Sequence, residues 1–319
     1  MRPRDLILLL KQAASDWIDD GAMRLSAALA YYAIFSLAPL LIIAISIAGL
    51  VFGEDAARGR IAQEISTVTG SRAGEAIQAA VLSSASQKTT GVVATVVGLA
   101  VLIFGASTVF AELKDALNTI WGVVVKPGRP FLTLVRDRFL SFSIVLSIGF
   151  LLLVSLILSA VLAALGKYMG ERLPLPAAVW QAGDFLLSIA VISALFAMIF
   201  KILPNVRIGW RDVGLGAAGT ALLFTAGKFL IGLYLGTSSI ASSFGAAGSV
   251  IIALAWIYYS SCILFFGAEF TKAWSRRFGP GVVPNSRAML ATDAWRAKLG
   301  LPPAAEVERR EARPAGVSR

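Results

Sequence analysis

The residues of this sequence most able to do chemistry are charged residues inside long apolar stretches. Lys228 interrupts the segment TALLFTAGKFLIGLYL, and Asp184 lies in an apolar stretch earlier in the chain. A charge at the centre of a membrane helix costs about 3 kcal/mol, so such a residue indicates a functional site by default. Three interpretations of Lys228 stay open: its stem reaches the membrane surface, its ammonium forms a buried ion pair, or it contacts a substrate.

Asp184 is the natural partner of Lys228. Asp184 lies four residues after the start of its predicted helix, and Lys228 lies seven residues before the end of the next one. The two helices run in opposite directions, so at about 1.5 Å of rise per residue both side chains begin near the outer surface. We therefore predict an Asp184–Lys228 pair near the outer mouth of a cavity between helices.

Glu112 and Glu269 form a second candidate set. Each lies at the cytoplasmic end of a predicted membrane helix, where a carboxylate opposes the negative end of the helix dipole. An ion pair with Lys114, Lys272 or Arg24 is the favoured interpretation, because it compensates the charge. The alternative is that these carboxylates bind a transported proton or cation.

A catalytic centre finds little support in the sequence. The chain has no His, the commonest general base, and a single Cys, which excludes a disulfide framework and a thiolate metal cluster. It contains no nucleotide-binding, serine hydrolase or zinc protease motif. We therefore predict no catalytic residue, no cofactor and no metal, and we expect that the protein is not an enzyme.

Apolar runs must position these residues. The chain is 57% hydrophobic and 15% charged, whereas soluble domains are about 25% charged. Six runs approach the roughly 20 residues that cross a membrane as a helix, and together they contain four charges. We predict an all-α, polytopic membrane protein with six transmembrane helices in a domain of residues 33–270. The runs are 33–52, 92–111, 139–165, 180–203, 213–235 and 246–270.

The distribution of Lys and Arg sets the orientation. Of the 29 basic residues, 22 fall on one side of the predicted membrane and 6 on the other. Basic residues stay in the cytoplasm, so we predict both termini there, in a multi-pass protein of the bacterial inner (plasma) membrane. The net charge of +10 then reports this orientation and contact with anionic lipid head groups. It does not indicate nucleic acid.

Three further segments complete the predicted organisation. Residues 1–32 contain an amphipathic interfacial helix over residues 4–20, with its acidic residues away from the apolar side. Residues 53–91 form a helical outer connection. Residues 271–319 form a basic, largely disordered cytoplasmic tail with a short helix near 287–299.

Three residues within the predicted spans are further candidates. Pro39 removes a backbone hydrogen bond and kinks the first span, as in helices that line a substrate path. Trp256 and Tyr258 fall in mid-span rather than at a membrane surface, where aromatic belts lie. We expect these two to pack inward or to face a cavity.

Four segments together resemble the YihY/BrkB family of bacterial inner-membrane proteins. They are LSAALAYYAIFSLAPLL (25–41), ELKDALNTIWGV (112–123), ILPNVRIGWRDVGLGA (202–217) and SFGAAGSVIIALAWIYYSSCILFFGAEFTKAW (243–274). The resemblance implies six spans with cytoplasmic ends, and a role in envelope integrity or lipid movement. The positions within its motifs are Pro39, Asn118, Pro204, Asn205, Gly248, Trp256, Tyr258 and Glu269.

The resemblance also brings a ribonuclease label, which the residues do not favour. Metal-dependent RNA cleavage needs clustered carboxylates or His ligands, and the motif polar residues lie in or beside lipid. We expect a transporter or flippase-like protein for a lipid or amphiphile, with a non-transporting envelope scaffold as the alternative. The sequence leaves the substrate and a homo-oligomeric state open.

Overall fold

A computed structural model describes residues 3–35, 53, 59, 108–126, 177–237 and 246–306. Within these, the side chains of 177–181, 184, 232–237 and 246–249 lie outside the description. The helices are α1 (Pro3–Asp19), α2 (Ala22–Phe35), α3 (108–120), α4 (Ala177–Ile202), α5 (Trp210–Thr237), α6 (Ala246–Phe278) and α7 (Asp293–Lys298). The strands are β1 (Val123–Val125), β2 (Val206–Arg207), β3 (Val283–Pro284) and β4 (Ala288–Leu290).

Among the described residues, three helices are long and apolar enough to cross a membrane. The stretches are Phe185–Ile202 in α4, Trp210–Ile231 in α5 and Val250–Phe278 in α6. They coincide with the last three predicted runs. An apolar run that lies in lipid forms a helix because only a helix satisfies the backbone hydrogen bonds within one segment. The predicted runs 33–52, 92–111 and 139–165 lie mostly or wholly outside the described residues, as does the outer connection 53–91.

The α5–α6 interface is a seam of glycines and threonines. Thr271 of α6 packs directly on Gly216, and Thr220 of α5 packs directly on Gly267. Each hydroxyl donates to the carbonyl of the glycine four residues earlier on its own helix, at 2.6 Å for Thr220 and 2.7 Å for Thr271. The two helices therefore approach closely without leaving a hydroxyl unpaired, as small residues allow in membranes.

Aromatic rings join α4 to α5. Phe224 of α5 meets Phe196 of α4 edge to face, with ring centroids 5.6 Å apart, and Phe200 stacks one turn further along α4. Other large apolar side chains point away from the bundle, including Phe185, which is 53% exposed, and Phe229, which is 73% exposed. This outward apolar surface fits a membrane protein, whose outer face meets lipid.

The amphipathic helix predicted over residues 4–20 is present as α1, but its buried face differs from the predicted one. Leu9, Ala13, Asp16 and Asp20 are buried at helical spacing, against α6. The sequence placed the acidic residues away from the packed side. The structure corrects this. Lys272, a cation on α6, forms ion pairs with both carboxylates, so the packed side of α1 carries them.

The described residues include two short antiparallel ladders, so the fold is mostly helical and not all-α as predicted. β1 pairs with β4, and β2 pairs with β3. β2 connects α4 to α5 and β3 follows α6, so both ladders lie at the same end of these helices. We call the four strands and α7 the cap.

The cap corrects the prediction of a largely disordered tail from residue 271. α6 continues to Phe278, and the N–H groups of Gly279 and Gly281 then donate to the Ser275 carbonyl and end the helix. Gly281 has a positive φ of 76°, which glycine adopts without strain. The short helix predicted near 287–299 is α7, preceded by a strand. Both strands of this segment find partners more than 70 positions earlier, which local composition does not reveal.

Candidate functional site

Four buried charged side chains meet where α1 packs against α6. Asp16 and Asp20 come from α1 and the turn after it, and Glu269 and Lys272 lie one turn apart on α6. Each of these side chains is 6% exposed or less. We call these four residues the ionic junction.

Lys272 is the centre of the ionic junction. Its Nζ donates to Asp20 Oδ2 at 2.9 Å, and it lies 2.6 Å from Glu269 Oε2 and 3.6 Å from Asp16 Oδ2. It also donates to the Ile120 carbonyl at 2.9 Å, at the end of α3, where helix carbonyls lack an intrahelical partner. One ammonium thus ties α1, α3 and α6 together.

Two arginines border the junction. Arg296 of α7 is buried and contacts Asp20 Oδ1 through Nη2 at 3.2 Å, while its Nε donates to the Pro302 carbonyl at 2.6 Å. Arg276 lies 3.9 Å from Asp16 Oδ2, but its side chain is one-third exposed, so water screens this pair. Arg296 therefore connects the cap to the junction.

Asp20 is held ionised by these neighbours. Burial by itself raises the pKa of Asp20. The Lys272 ammonium, which also donates a hydrogen bond to Asp20, and the Arg296 guanidinium together lower this pKa by more than burial raises it. The net result is a pKa below the usual value of 3.8. At neutral pH Asp20 is therefore an anion with two cationic partners.

Glu269 is less well satisfied than Asp20. Its side chain is fully buried, and neither carboxyl oxygen accepts a hydrogen bond from the part of the chain that the structure describes. The 2.6 Å approach of Lys272 is a charge contact without hydrogen-bond geometry. Of the three partners predicted for Glu269, Lys272 is the one that the structure places against it. Within the described ranges no three Asp, Glu, His or Cys side chains are grouped as metal ligands.

Asn118 and Asn205 are brought together by the fold. Both are buried, and the Asn205 N–H donates to Asn118 Oδ1 at 2.8 Å. Asn285 then donates to Asn205 twice, from its N–H to the carbonyl at 2.9 Å and from its amide to Oδ1 at 3.3 Å. These amides join α3, β2 and β3, so they position the cap.

Lys228 lies on the inner face of α5. It is one turn past Phe224 and shares a helical stripe with Ala217 and Ala221, which are fully buried. Its own side chain is half-buried. Phe224 contacts the Trp256 ring of α6 edge to face, with ring centroids 6.2 Å apart. Lys228 therefore lies one helical turn beyond a contact between α5 and α6.

Trp256 and Tyr258 are half-buried on α6, as expected for mid-span aromatics that pack inward. The indole Nε1 of Trp256 is buried and has no hydrogen-bond partner among the described residues. A donor of this kind in an apolar interior is costly unless a polar group reaches it.

The remaining candidate residues are not part of the junction or lie outside the description. Glu112 is half-buried on α3, and burial and the nearby Asp115 raise its pKa. Glu112 lies about 12 Å along the helix before Ile120. The group that α3 contributes to the ionic junction is therefore the Ile120 carbonyl and not the Glu112 carboxyl. The Asp184 side chain and Pro39 lie outside the described residues, and the predicted Asp184–Lys228 pair stays a prediction.

Asp16, Asp20 and Arg296 are site residues that the sequence did not predict. A usable signal for the two aspartates was present, since Asp16 and Asp20 continue the helical spacing of Leu9 and Ala13. No local signal marks Arg296, because its partner Asp20 is 276 positions away.

Comparison with known proteins places these observations in a family. A family profile described as "Virulence factor BrkB" matches residues 13–290. A UPF0761 membrane protein of Pseudomonas aeruginosa is 30% identical over 278 residues, which cover 85% of this chain and 65% of the relative. One of Chromobacterium violaceum is 28% identical over 269 residues, which cover 81% of this chain and 61% of the relative. The chain thus spans somewhat less than two thirds of these relatives, and no solved structure matches it.

Proposed function

The chain belongs to the virulence factor BrkB family of membrane proteins, and we propose that it moves a lipid or amphiphile across the bacterial inner membrane. In this proposal it is a multi-pass protein of six transmembrane helices with both termini in the cytoplasm. It binds anionic lipid head groups at its cytoplasmic face, does not bind nucleic acid and has no catalytic role.

The position of Lys228 is the observation that supports transport best. A lysine inside a membrane helix is expensive, and such residues face a bundle interior or a polar path. Lys228 shares the inner face of α5 with Ala217 and Ala221 rather than the outer face that carries Phe229. A half-buried lysine one helical turn from the Phe224–Trp256 contact fits an amphiphile, whose anionic head needs a cation and whose tail needs apolar surface.

Lipid movement in reconstituted vesicles tests the transport proposal. Purified protein is placed in liposomes that contain a fluorescent anionic phospholipid, and a membrane-impermeant quencher reports how fast the lipid changes leaflet. We expect faster movement than in empty liposomes, and Lys228→Met, which keeps the length but removes the charge, should reduce the rate to that of empty liposomes.

Lys298→Met serves as the matched control. Lys298 is exposed on α7, so its substitution removes the same charge without touching the membrane helices. Its rate should equal that of the unchanged protein. Wild-type protein that moves lipid no faster than empty liposomes would refute the proposal.

A scaffold for envelope machinery is the second candidate function. It is favoured by apolar side chains on the β1–β4 ladder of the cap, where Val125 is 38%, Met289 38% and Leu290 58% exposed. Val125 and Leu290 share one face of this ladder and Met289 lies on the other, and contiguous exposed apolar surface marks protein contacts. If the scaffold role is correct, a photo-crosslinking residue in place of Leu290 should capture one defined protein. A second copy of this chain counts as such a protein.

A further inference from the structure

The ionic junction offers fewer hydrogen-bond donors than its oxygens require. An ammonium has three N–H donors. Lys272 uses one on Asp20 and one on the Ile120 carbonyl, which leaves one for both Glu269 and Asp16. Asp16 Oδ2 accepts no hydrogen bond from the described residues either. Within the described part of the chain, two buried carboxyl groups therefore compete for the one remaining N–H of Lys272.

The charges around Glu269 do not supply the missing donor. Asp16 and Asp20 face it from α1, and Lys272 contacts it from α6. Arg296 of α7 is engaged with Asp20 and the Pro302 carbonyl. The charged groups at the outer limits of the cluster are Arg276, which is partly exposed and directed to Asp16, and Asp212 of α5, which approaches Ser275 and Gly279 instead.

A proton on Glu269 would remove this shortage. A buried carboxylate without hydrogen bonds is strongly destabilising, and in practice such a group takes up a proton instead. The neutral carboxyl is itself a donor, so it can serve the unpaired oxygen of a neighbouring aspartate. Lys272 and Arg296 then balance Asp16 and Asp20, two cations against two anions.

We propose that Glu269 is a proton-binding site at the cytoplasmic end of α6, and that this proton is the ion whose exchange with cytoplasmic water is coupled to substrate movement. The coupling rests on the transport function proposed above, whereas the proton site does not. A proton is also a suitable coupling ion because the sequence contains no nucleotide-binding motif that could supply energy from ATP.

Infrared difference spectroscopy tests the proton site directly. A protonated carboxyl group has a C=O stretching band that an ionised one lacks. Purified protein in detergent is compared at neutral and alkaline pH, and we expect a band from a buried protonated carboxyl that disappears in Glu269→Gln. Glu306→Gln changes an exposed carboxylate on the cap side of the chain and should leave the band unchanged.

A second variant keeps the test decisive if Glu269→Gln does not fold. Asp20→Asn retains the Glu269 carboxyl but removes one anion, so Lys272 is left to compensate Glu269 as an anion. The band should weaken by roughly half or more at neutral pH. The absence of a protonated-carboxyl band in wild-type protein, or a full-strength band in Glu269→Gln, would overturn the proton site.

A pH gradient across the liposomes tests the coupling. In wild-type protein the gradient should accelerate lipid movement several-fold, whereas Glu269→Gln should move lipid at a rate independent of the gradient. A gradient effect that persists in Glu269→Gln would overturn the coupling. If neither protein moves lipid, the transport function and the coupling both fail, and the infrared result still decides the proton site.

Discussion

At the residue scale, the unusual feature is how much depends on Lys272. Its ammonium contacts three buried carboxyl groups and one helix-terminal carbonyl. Buried ion pairs add little stability compared with apolar packing, but removing one partner costs about 3–5 kcal/mol because the others stay buried without it. Lys272 therefore fixes how α1 docks, which apolar contacts alone would leave less defined.

Acidification should release the contribution of Asp20. Its pKa is lowered in the folded protein, so its stabilising effect is complete above the usual value of 3.8 and is lost as the pH falls below that value toward the folded-state pKa. We therefore expect the thermal midpoint in detergent to fall as the pH is lowered through 3.8 and below.

Asp20→Asn provides the comparison for this experiment. The variant should be less stable than wild type at about pH 6, and the difference should shrink on acidification because wild type then loses the same charge. Parallel midpoint curves for the two proteins would contradict a role for the Asp20 carboxylate.

At the scale of elements, three kinds of helix contact hold the described bundle. α5 and α6 approach through glycines that receive threonine side chains, α4 meets α5 through aromatic rings, and α1 joins α6 through charges. Contacts of α1 with α6 extend from the Cys262 carbonyl, which accepts from Trp17 Nε1 at 3.3 Å, to Arg277, whose Nη2 lies 2.7 Å from Asp5 Oδ1. These two α6 residues are about 22 Å apart along the helix, so the contacts with α1 cover several turns of α6.

The glycine seam gives a sharp prediction at two neighbouring positions. A methyl group at Gly216 would overlap the Thr271 side chain, whereas a methyl group at Gly219 would meet nothing within 4 Å. Gly216→Ala should therefore lower the free energy of unfolding by about 1–3 kcal/mol through overpacking. Gly219→Ala should keep or raise it, by up to about 1 kcal/mol, because alanine favours a helix.

Reversible unfolding in mixed micelles measures both variants under one condition. Equal stability of Gly216→Ala and wild type would show that α5 and α6 are not held as closely as the structure has them. A loss in Gly219→Ala would mean that another surface covers this exposed position.

At the scale of the whole molecule, the apolar bundle and the cap are joined at one end. α7 reaches the ionic junction through Arg296, and the amides of Asn118, Asn205 and Asn285 hold the ladders to α3. The first helix and the segment after the last long helix therefore meet on the same side of the bundle. That this side faces the cytoplasm stays a prediction from the distribution of Lys and Arg.

Cysteine labelling in bacterial spheroplasts tests that orientation. In a Cys262→Ser background, Ser15→Cys on α1 should react with a membrane-impermeant maleimide only after permeabilisation. Ser71→Cys, in the predicted outer connection, should react in intact spheroplasts. Reaction of Ser15→Cys in intact spheroplasts would place α1 outside the cytoplasm.

Much of the described fold could be predicted from the sequence, for a clear physical reason. The last three spans and α1 depend on local apolar spacing and length, which the sequence displays. The cap could not be predicted, because its two-residue and three-residue strands have meaning only with partners far away in the chain. Local hydropathy carries no such pairing information.

The candidate site was predictable in part. Glu269 stood out as a carboxylate in an apolar helix, and Lys272 was one of its three predicted partners because it is close in sequence. The apolar pattern of α1 predicts Asp16 and Asp20 on its water-exposed face, because such patterning assumes that buried positions are apolar. Lys272 and Arg296, both distant in sequence, make their burial favourable.

The ionic junction also sets the order of events during synthesis. Asp20 and Lys272 are 252 positions apart, and at roughly 5–20 residues per second the ribosome needs about 13–50 s between them. Throughout that interval α1 presents two uncompensated carboxylates on the face that is later buried. We expect the helix to stay at a water-exposed surface until α6 is inserted, so a chain interrupted before Lys272 should leave α1 open to proteolysis.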